Sequence, residues 1–122
     1  MDAIFKRFDA RQMQGFTSAI TLTEVLMLPV RLERHDLETA YRDILLHNTS
    51  VTLVDVNAKI AQEAARLRAK YNLRTPDALH VATAIDSNCD SVLTDDKGLK
   101  HVAEVTVLVI DDLELDPPQN QR

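Results

Sequence analysis

The feature that most constrains the fold is an alternation of short β-branched stretches with amphipathic helical patterns. Asp36 and Asn57 each begin a helix as N-cap residues in this pattern. Three stretches, Val51 to Val56, Ser91 to Thr94 and Val105 to Ile110, have the composition of strands. Strands that alternate with helices imply right-handed crossovers between parallel strands. We therefore expect an α/β fold of three layers, α/β/α, with a mostly parallel sheet. The apolar stripes of the two helices are Leu37, Ala40, Tyr41, Ile44 and Leu45, and Ile60, Ala64, Leu67 and Tyr71.

The start of the chain carries a different pattern. Ile4, Phe5 and Phe8 recur at helical spacing between charged residues, which predicts an amphipathic helix over residues 1–14. Gly15 then interrupts the helical pattern. The first element of the chain is therefore predicted to be a helix rather than a strand.

A short strand and a helix are expected next. The segment from Phe16 to Leu22 has the composition of a strand, and the hydroxyl of Thr21 or Thr23 is suited to cap the helix that follows. Pro29 lacks an amide donor and is expected to kink or shorten this helix.

Composition excludes several classes of protein. The chain has 122 residues, of which 45% are hydrophobic, so residues 1–122 are sufficient for one domain with its own core. Two glycines do not provide a Gly-rich phosphate loop, and the single cysteine, Cys89, excludes an internal disulfide and a cysteine-based zinc site. The net charge of −5 argues against a broad basic surface for nucleic acid. We expect a cytoplasmic protein whose acidic, Pro-containing residues 113–122 form a mobile tail.

Acidic residues follow the predicted strands. Glu24 comes after the first strand, in the first turn of its helix. Asp77 opens a later helix, for which Thr75 supplies the capping hydroxyl before Pro76, and Asp95 and Asp96 directly follow the strand ending at Thr94. In open α/β sheets, ligands bind beyond the carboxyl ends of the strands. Converging carboxylates at such an edge would bind a hard divalent cation. Taken singly, an acid in a first helical turn is equally explained by the helix dipole, and Asp95–Asp96 by an ordinary turn.

Four segments, in order along the chain, resemble the motifs of the PIN domain family, which includes the ribonuclease toxins of bacterial toxin–antitoxin pairs. Phe16–Leu26 is similar to the family's strand-to-helix segment, and Thr75–Ala84 to its second acidic motif. Val92–Lys97 is similar to the third motif, and Val107–Asp112 to the final strand. His80, inside the second motif, lies three residues after Asp77, which is compatible with a place beside the site, but it is interpreted as a partly buried helix residue.

The resemblance implies a site and a reaction. Glu24, Asp77 and Asp96 occupy the positions of metal ligands or water-activating residues, and Thr94 and Asp95 those of supporting polar groups. Asp96 is preferred to Asp95 because the family's acid is the third residue of its triplet. The implied activity is Mg²⁺- or Mn²⁺-dependent hydrolysis of phosphodiester bonds in RNA.

One part of the family pattern is missing from the sequence. PIN domains begin with an apolar strand that ends in an aspartate, whereas residues 1–8 have a helical pattern here, and Asp2 and Asp9 follow no predicted strand. In the family's strand order, 3-2-1-4-5, this first strand is the central one. The sequence therefore predicts a sheet without its usual central strand. Three alternatives stay open: a longer natural chain, direct pairing of the second and fourth strands, or cover from a second subunit in a homodimer, which is the form we expect.

Three functions follow from these observations. The first is a PIN-type endoribonuclease, the toxin of a type II toxin–antitoxin pair with an antitoxin protein as its partner. The second is a catalytically impaired PIN fold that acts as a binding or assembly module, because the first acidic residue is absent. The third is a flavodoxin-like or receiver-like module, which the lack of an acidic cluster after a first strand disfavours.

Overall fold

A computed structural model of the chain describes residues 3–9, 12–47, 51–94 and 97–109. None of the helices in these ranges is long and apolar enough to cross a membrane. The described elements, in chain order, are β1 (Ala3–Asp9), β2 (Gln12–Ser18), α1 (Ile20–Arg31), α2 (His35–His47), β3 (Val51–Val54), α3 (Ala58–Tyr71), α4 (Thr75–Asp86), β4 (Ser91–Thr94), a 3₁₀ turn (Lys97–Leu99) and β5 (Thr106–Val109).

The five strands within the described residues form one sheet in the order β3-β2-β1-β4-β5. β2 pairs with β3 and β4 pairs with β5 in parallel, and β1 is antiparallel to both β2 and β4. Four strands therefore run in one direction and β1 runs in the other. The predicted α/β class with a mostly parallel sheet is confirmed.

The predicted helix over residues 1–14 is wrong, because this part of the chain contributes β1 and the start of β2. Phe5 lies opposite Phe16 of β2 and opposite Val92 of β4, so β1 takes the central place that the sequence analysis expected to be empty. A lone short helix is marginally stable in water. Between two strands, the same backbone finds hydrogen-bond partners on both sides. β2 and β4 accordingly do not pair with each other directly, and the central strand is present but reversed relative to its neighbours.

Some helices and strands begin or end at residues other than the predicted ones. The strand predicted from Phe16 to Leu22 is β2, which ends at Ser18, and α1 continues through Pro29 to Arg31 instead of ending there. α2 begins one residue before its predicted cap, Asp36. The cap at Asn57 is confirmed, since its Oδ1 accepts a hydrogen bond of 2.9 Å from the amide of Ile60. The predicted tail, residues 113–122, lies outside the described residues.

The core lies mainly between α3 and α4. The predicted α3 stripe is confirmed at Ile60, Ala64 and Leu67, which are buried against α4. Ala78 and Ala82 of α4 are fully buried, and such small side chains let neighbouring elements approach closely. Burying a large aliphatic side chain such as Ile60 or Leu67 contributes about 1.5–3 kcal/mol to folding. α4 is therefore a tightly held platform, which matters for the acidic residue at its start.

The connection between β4 and β5 is fixed to the end of α3 by polar contacts. The Tyr71 hydroxyl donates to Oε1 of Glu104 at 2.6 Å and accepts from the amide of Ala103 at 3.1 Å. Lys70 Nζ donates to Oε2 of Glu104 at 3.1 Å. The Tyr71 hydroxyl, followed by Lys70, lowers the pKa of Glu104 below its usual value. These contacts hold the segment that follows the predicted third acidic motif.

The central position of β1 is tested by Lys6→Pro, with Lys6→Ala as the matched control. Lys6 is paired with Gly15 on one side and Ser91 on the other, so its amide faces a strand whichever way it points. Proline removes that donor, and an unsatisfied ladder partner costs about 1–3 kcal/mol. In urea denaturation, we expect the free energy of unfolding of Lys6→Pro to be lower than that of the wild type by about 1–3 kcal/mol. The free energy of unfolding of Lys6→Ala should equal that of the wild type. Equal stability of the two variants would contradict a central β1.

The hydrogen bonds that Tyr71 makes to the β4–β5 connection are tested by Tyr71→Phe at pH 7 and in acid. We expect a loss of about 1 kcal/mol in the free energy of unfolding at pH 7, the usual worth of such hydrogen bonds. Because the folded-state pKa of Glu104 lies below its usual value, the contribution of Glu104 to stability is present above that usual value and is lost as the pH falls through the folded-state pKa. The difference in the free energy of unfolding between Tyr71→Phe and the wild type should therefore become smaller in acid. Tyr41→Phe, on exposed α2, serves as the control and should have no effect at either pH.

Candidate functional site

The turn from β2 into α1 is fixed by buried hydroxyl groups. The Thr17 and Thr21 hydroxyls are hydrogen-bonded to each other at 2.8 Å, and the amide of Ile20 donates to Oγ of Ser18 at 3.1 Å. Since Ser18 satisfies this amide, the helix begins at Ile20, earlier than predicted. Thr21 and Thr23 therefore lie inside α1 and are not its caps. Glu24 consequently lies in the second turn of α1 and not in the first.

The start of α4 places a carboxylate in a buried position. Asp77 lies in the first turn, as predicted, and is only 4% exposed. Arg74, in extended conformation, occupies the N-cap position that was predicted for Thr75. Its Nε donates to Oδ2 of Asp77 at 3.1 Å. The guanidinium and the helix dipole together stabilise the negative charge of Asp77 at the N-terminal end of the helix.

His80 connects α4 to α1. Its side chain is completely buried, and its Nε2 lies 3.1 Å from Oε1 of Glu24, a residue 56 positions away in sequence. Burial lowers the pKa of His80, while the charges of Glu24 and Asp77 both act to raise it. Glu24 therefore contacts the imidazole directly, and Asp77, three residues before His80 on α4, acts on it electrostatically.

The third predicted acid, Asp96, comes two residues after the end of β4 in the sequence. β2 and β4 run in parallel on either side of β1, so Ser18 and Thr94 end at the same edge, and Thr94 is fully buried there. Asp95 and Asp96 lie outside the described residues. Among the residues that the structure does describe, no three His, Cys, Asp or Glu side chains are grouped closely enough to hold a metal ion.

The chemistry of the described donors fits a hard divalent cation. Glu24 and Asp77 offer carboxylate oxygens, the ligands that Mg²⁺ and Mn²⁺ prefer. Both carboxylates are held by neighbouring cationic or imidazole groups, and neither is fully exposed. Two carboxylates on different helices could share one cation with a third acid that follows β4.

His80 is the functional-site residue that the sequence analysis underestimated. It was expected to be a partly buried helix residue, but it is fully buried and contacts a predicted ligand. The available signal was its spacing, because a residue three positions after Asp77 lies on the same face of a helix. Spacing within α4 could not show that Glu24 of α1 lies on that face too.

A second surface feature lies between α1 and α2. The two helices border an open groove of about 580 Å³ that begins beside Glu24. The predicted apolar stripe of α2 borders this groove and is not buried. Leu28 of α1 and Ile44 of α2 are 52% and 55% exposed. No residue of α2 with a described side chain is buried. Such an apolar surface is typical of a site where another protein binds. The lining residues are Glu24, Val25, Leu28, Pro29, Leu32, Leu37, Tyr41, Ile44 and Leu45.

Comparisons with known proteins agree with the fold and the motifs. The sequence profile of the PIN domain matches residues 2–105. A solved structure described as a toxin-antitoxin complex from Klebsiella pneumoniae superimposes with a TM-score of 0.58 at 24% sequence identity, covering 73% of this chain and 69% of that one. None of the curated protein sequences matches the chain significantly. Because the family profile spans most of the 122 residues and the resemblance of the motifs points the same way, the chain belongs to the PIN domain family.

Proposed function

We propose that this chain is a metal-dependent endoribonuclease of the PIN type, acting in the cytoplasm as the toxin of a toxin–antitoxin pair. The observation that carries the proposal is the hydrogen bond that joins Glu24 of α1 to His80 of α4, the helix whose first turn contains Asp77. Asp96 completes the set of ligands in this proposal, and Thr94 and Asp95 support it as neighbouring polar groups.

The chemistry follows from the roles of the side chains. A bound Mg²⁺ or Mn²⁺ ion polarises a phosphoryl oxygen and lowers the pKa of a bound water. Glu24 and Asp77 would hold this ion through their carboxylate oxygens, and its charge would offset their mutual repulsion. Arg74 orients the buried Asp77 carboxylate from the side of the helix start through a hydrogen bond from its Nε. The net charge of −5 opposes the approach of an RNA phosphate, and a bound cation would offset part of it.

The metal centre is tested by titrating Mn²⁺ into the wild type and Asp77→Asn by calorimetry. Asp77→Asn keeps the shape of the side chain and removes a ligand charge, so we expect it to weaken Mn²⁺ binding at least about tenfold. The matched control is Asp86→Asn, at the other end of α4, where Asp86 pairs with Lys59. Asp86→Asn should bind Mn²⁺ as the wild type does.

Cleavage of RNA provides the second measurement for the same proposal. We expect Mn²⁺-dependent cleavage by the wild type and its loss in Glu24→Gln, which removes a ligand charge from the other helix of the site. An equal lack of Mn²⁺ binding in the wild type and in Asp77→Asn would count against a working metal centre. Cleavage that persists unchanged in Glu24→Gln would exclude Glu24 from it.

The α1–α2 groove favours a second function, the binding of another protein. The solved structure with a similar fold is described as a toxin-antitoxin complex, and an antitoxin is the partner that we propose for the groove here. This function does not require a complete set of metal ligands, so it also fits a PIN fold with impaired catalysis. The homodimer expected from the sequence stays a prediction, and a second copy of the chain is the competing occupant.

The groove is tested by Ile44→Asp, with Leu46→Asp as its control. Ile44 lines the groove and is 55% exposed, whereas Leu46 is 45% exposed but is not part of the lining. A charge placed in an apolar interface centre costs about 2 kcal/mol or more. We expect Ile44→Asp to lose the complex with a co-expressed candidate antitoxin in size-exclusion chromatography with light scattering, and Leu46→Asp to retain it. A wild-type dimer that Ile44→Asp converts to a monomer would assign the groove to a second copy instead.

A further inference from the structure

His80 occupies a place on α4 where a polar ring is costly. The side chains of Ala78, Val81 and Ala82 around it on the helix are as completely buried as the imidazole itself. A buried polar group destabilises a fold unless it is hydrogen-bonded. The Nε2 atom meets this requirement through Oε1 of Glu24, which belongs to a different helix and whose side chain is 21% exposed. The contact therefore joins the core to a residue of the candidate site.

The direction of this hydrogen bond follows from the chemistry of the two groups. The Nε2 atom of His80 lies 3.1 Å from Oε1 of Glu24, and one of these two atoms must supply the proton of the hydrogen bond. A carboxylate oxygen can only accept a hydrogen bond. The proton must then lie on Nε2, which donates to Glu24.

The bond has a consequence for any cation that Glu24 binds. A glutamate side chain has several rotatable bonds and loses rotamer freedom when an ion or a ligand orders it. A donor fixed in the core orders the carboxylate beforehand and so reduces that loss. Groups that hold metal ligands from outside the coordination sphere often matter nearly as much as the ligands themselves.

We propose that His80 is a positioning residue of the candidate site, whose Nε2–H holds the Glu24 carboxylate of α1 against α4 for binding of a divalent cation. The hydrogen bond is a feature of the structure by itself, whereas the part played by the cation rests on the proposed function. His80 acts through Glu24 and does not contact the substrate in this proposal.

The test compares Mn²⁺ affinity in three variants by calorimetry. His80→Leu removes the donor, and we expect it to raise the Kd for Mn²⁺ by roughly 10–100-fold. His80→Gln keeps an N–H donor and should stay close to the wild type. Thr83→Val is the control for damage to the core, because Thr83 is a buried polar residue of α4 that donates within the helix to the carbonyl of Leu79. It should bind Mn²⁺ as the wild type does.

Three results of that comparison would overturn the proposal. They are wild-type affinity in a folded His80→Leu, an affinity of His80→Gln as low as that of His80→Leu, and an equal loss of affinity in Thr83→Val. The first two would show that the donor is irrelevant, and the third would show that any disturbance of α4 has the same effect.

A spectroscopic measurement on the metal-free protein separates this inference from the proposed function, and it applies even if His80→Leu fails to fold. Long-range ¹H–¹⁵N correlation identifies which nitrogen of His80 carries the proton. We expect the Nε2–H form, with a proton resonance that shifts in Glu24→Gln. The Nδ1–H form would overturn the inference whatever the protein binds. A wild type that has the Nε2–H bond but takes up no Mn²⁺ would instead contradict the proposed metal centre.

Discussion

The backbone pairing of β1 with β2 on one side and β4 on the other is the interaction on which the remaining structure depends. Without it, the sheet would fall into two parallel pairs, β3–β2 and β5–β4, each with an unpaired inner edge. A reversed strand serves this purpose as well as a parallel one does, because each backbone amide and carbonyl needs a partner and has no requirement for chain direction. The carboxyl ends of β2 and β4 are held at one edge, separated only by the width of β1.

The candidate site is built on that edge from helices rather than from the central strand. Glu24 and Asp77 are the first acidic residues of α1 and α4, and each is held by a basic or imidazole group from nearby, His80 in one case and Arg74 in the other. A buried or partly buried carboxylate is unfavourable without such partners. The hydrogen bond from His80 and the ion pair with Arg74 therefore hold the two carboxylates in place on α1 and α4.

Glu24 also connects the two functional features of the molecule. Its carboxylate is bound to His80 on the side of α4, and the same residue lines the end of the apolar groove between α1 and α2. A protein bound in that groove would thus lie directly beside the candidate site. The open face of α2 is consistent with this arrangement, since an amphipathic helix that leaves its apolar stripe uncovered exposes area that a partner would bury.

Much of this protein was determined by local sequence pattern. Periodicity and residues close in sequence set the α3 stripe, the Asn57 cap, Asp77 in the first turn of α4, and the strands β3, β4 and β5, so these features were predictable. The PIN family was predictable from its motifs. The direction and even the type of the first element were not. Ile4, Phe5 and Phe8 fit a helical pattern, and only the strands on either side, provided by residues far along the chain, decided in favour of β1.

The same distinction applies to the site. Sequence selected Glu24 and Asp77 by type and position, but it placed Glu24 one turn too early, because it could not weigh the Ser18 hydroxyl that starts α1 at Ile20. It gave no sign of the contact between His80 and Glu24, which are separated by 56 residues. Periodicity and capping act over a few residues and are written in the sequence itself. Hydrogen bonds between elements, and the burial that makes them necessary, exist only once tertiary packing has brought those elements together.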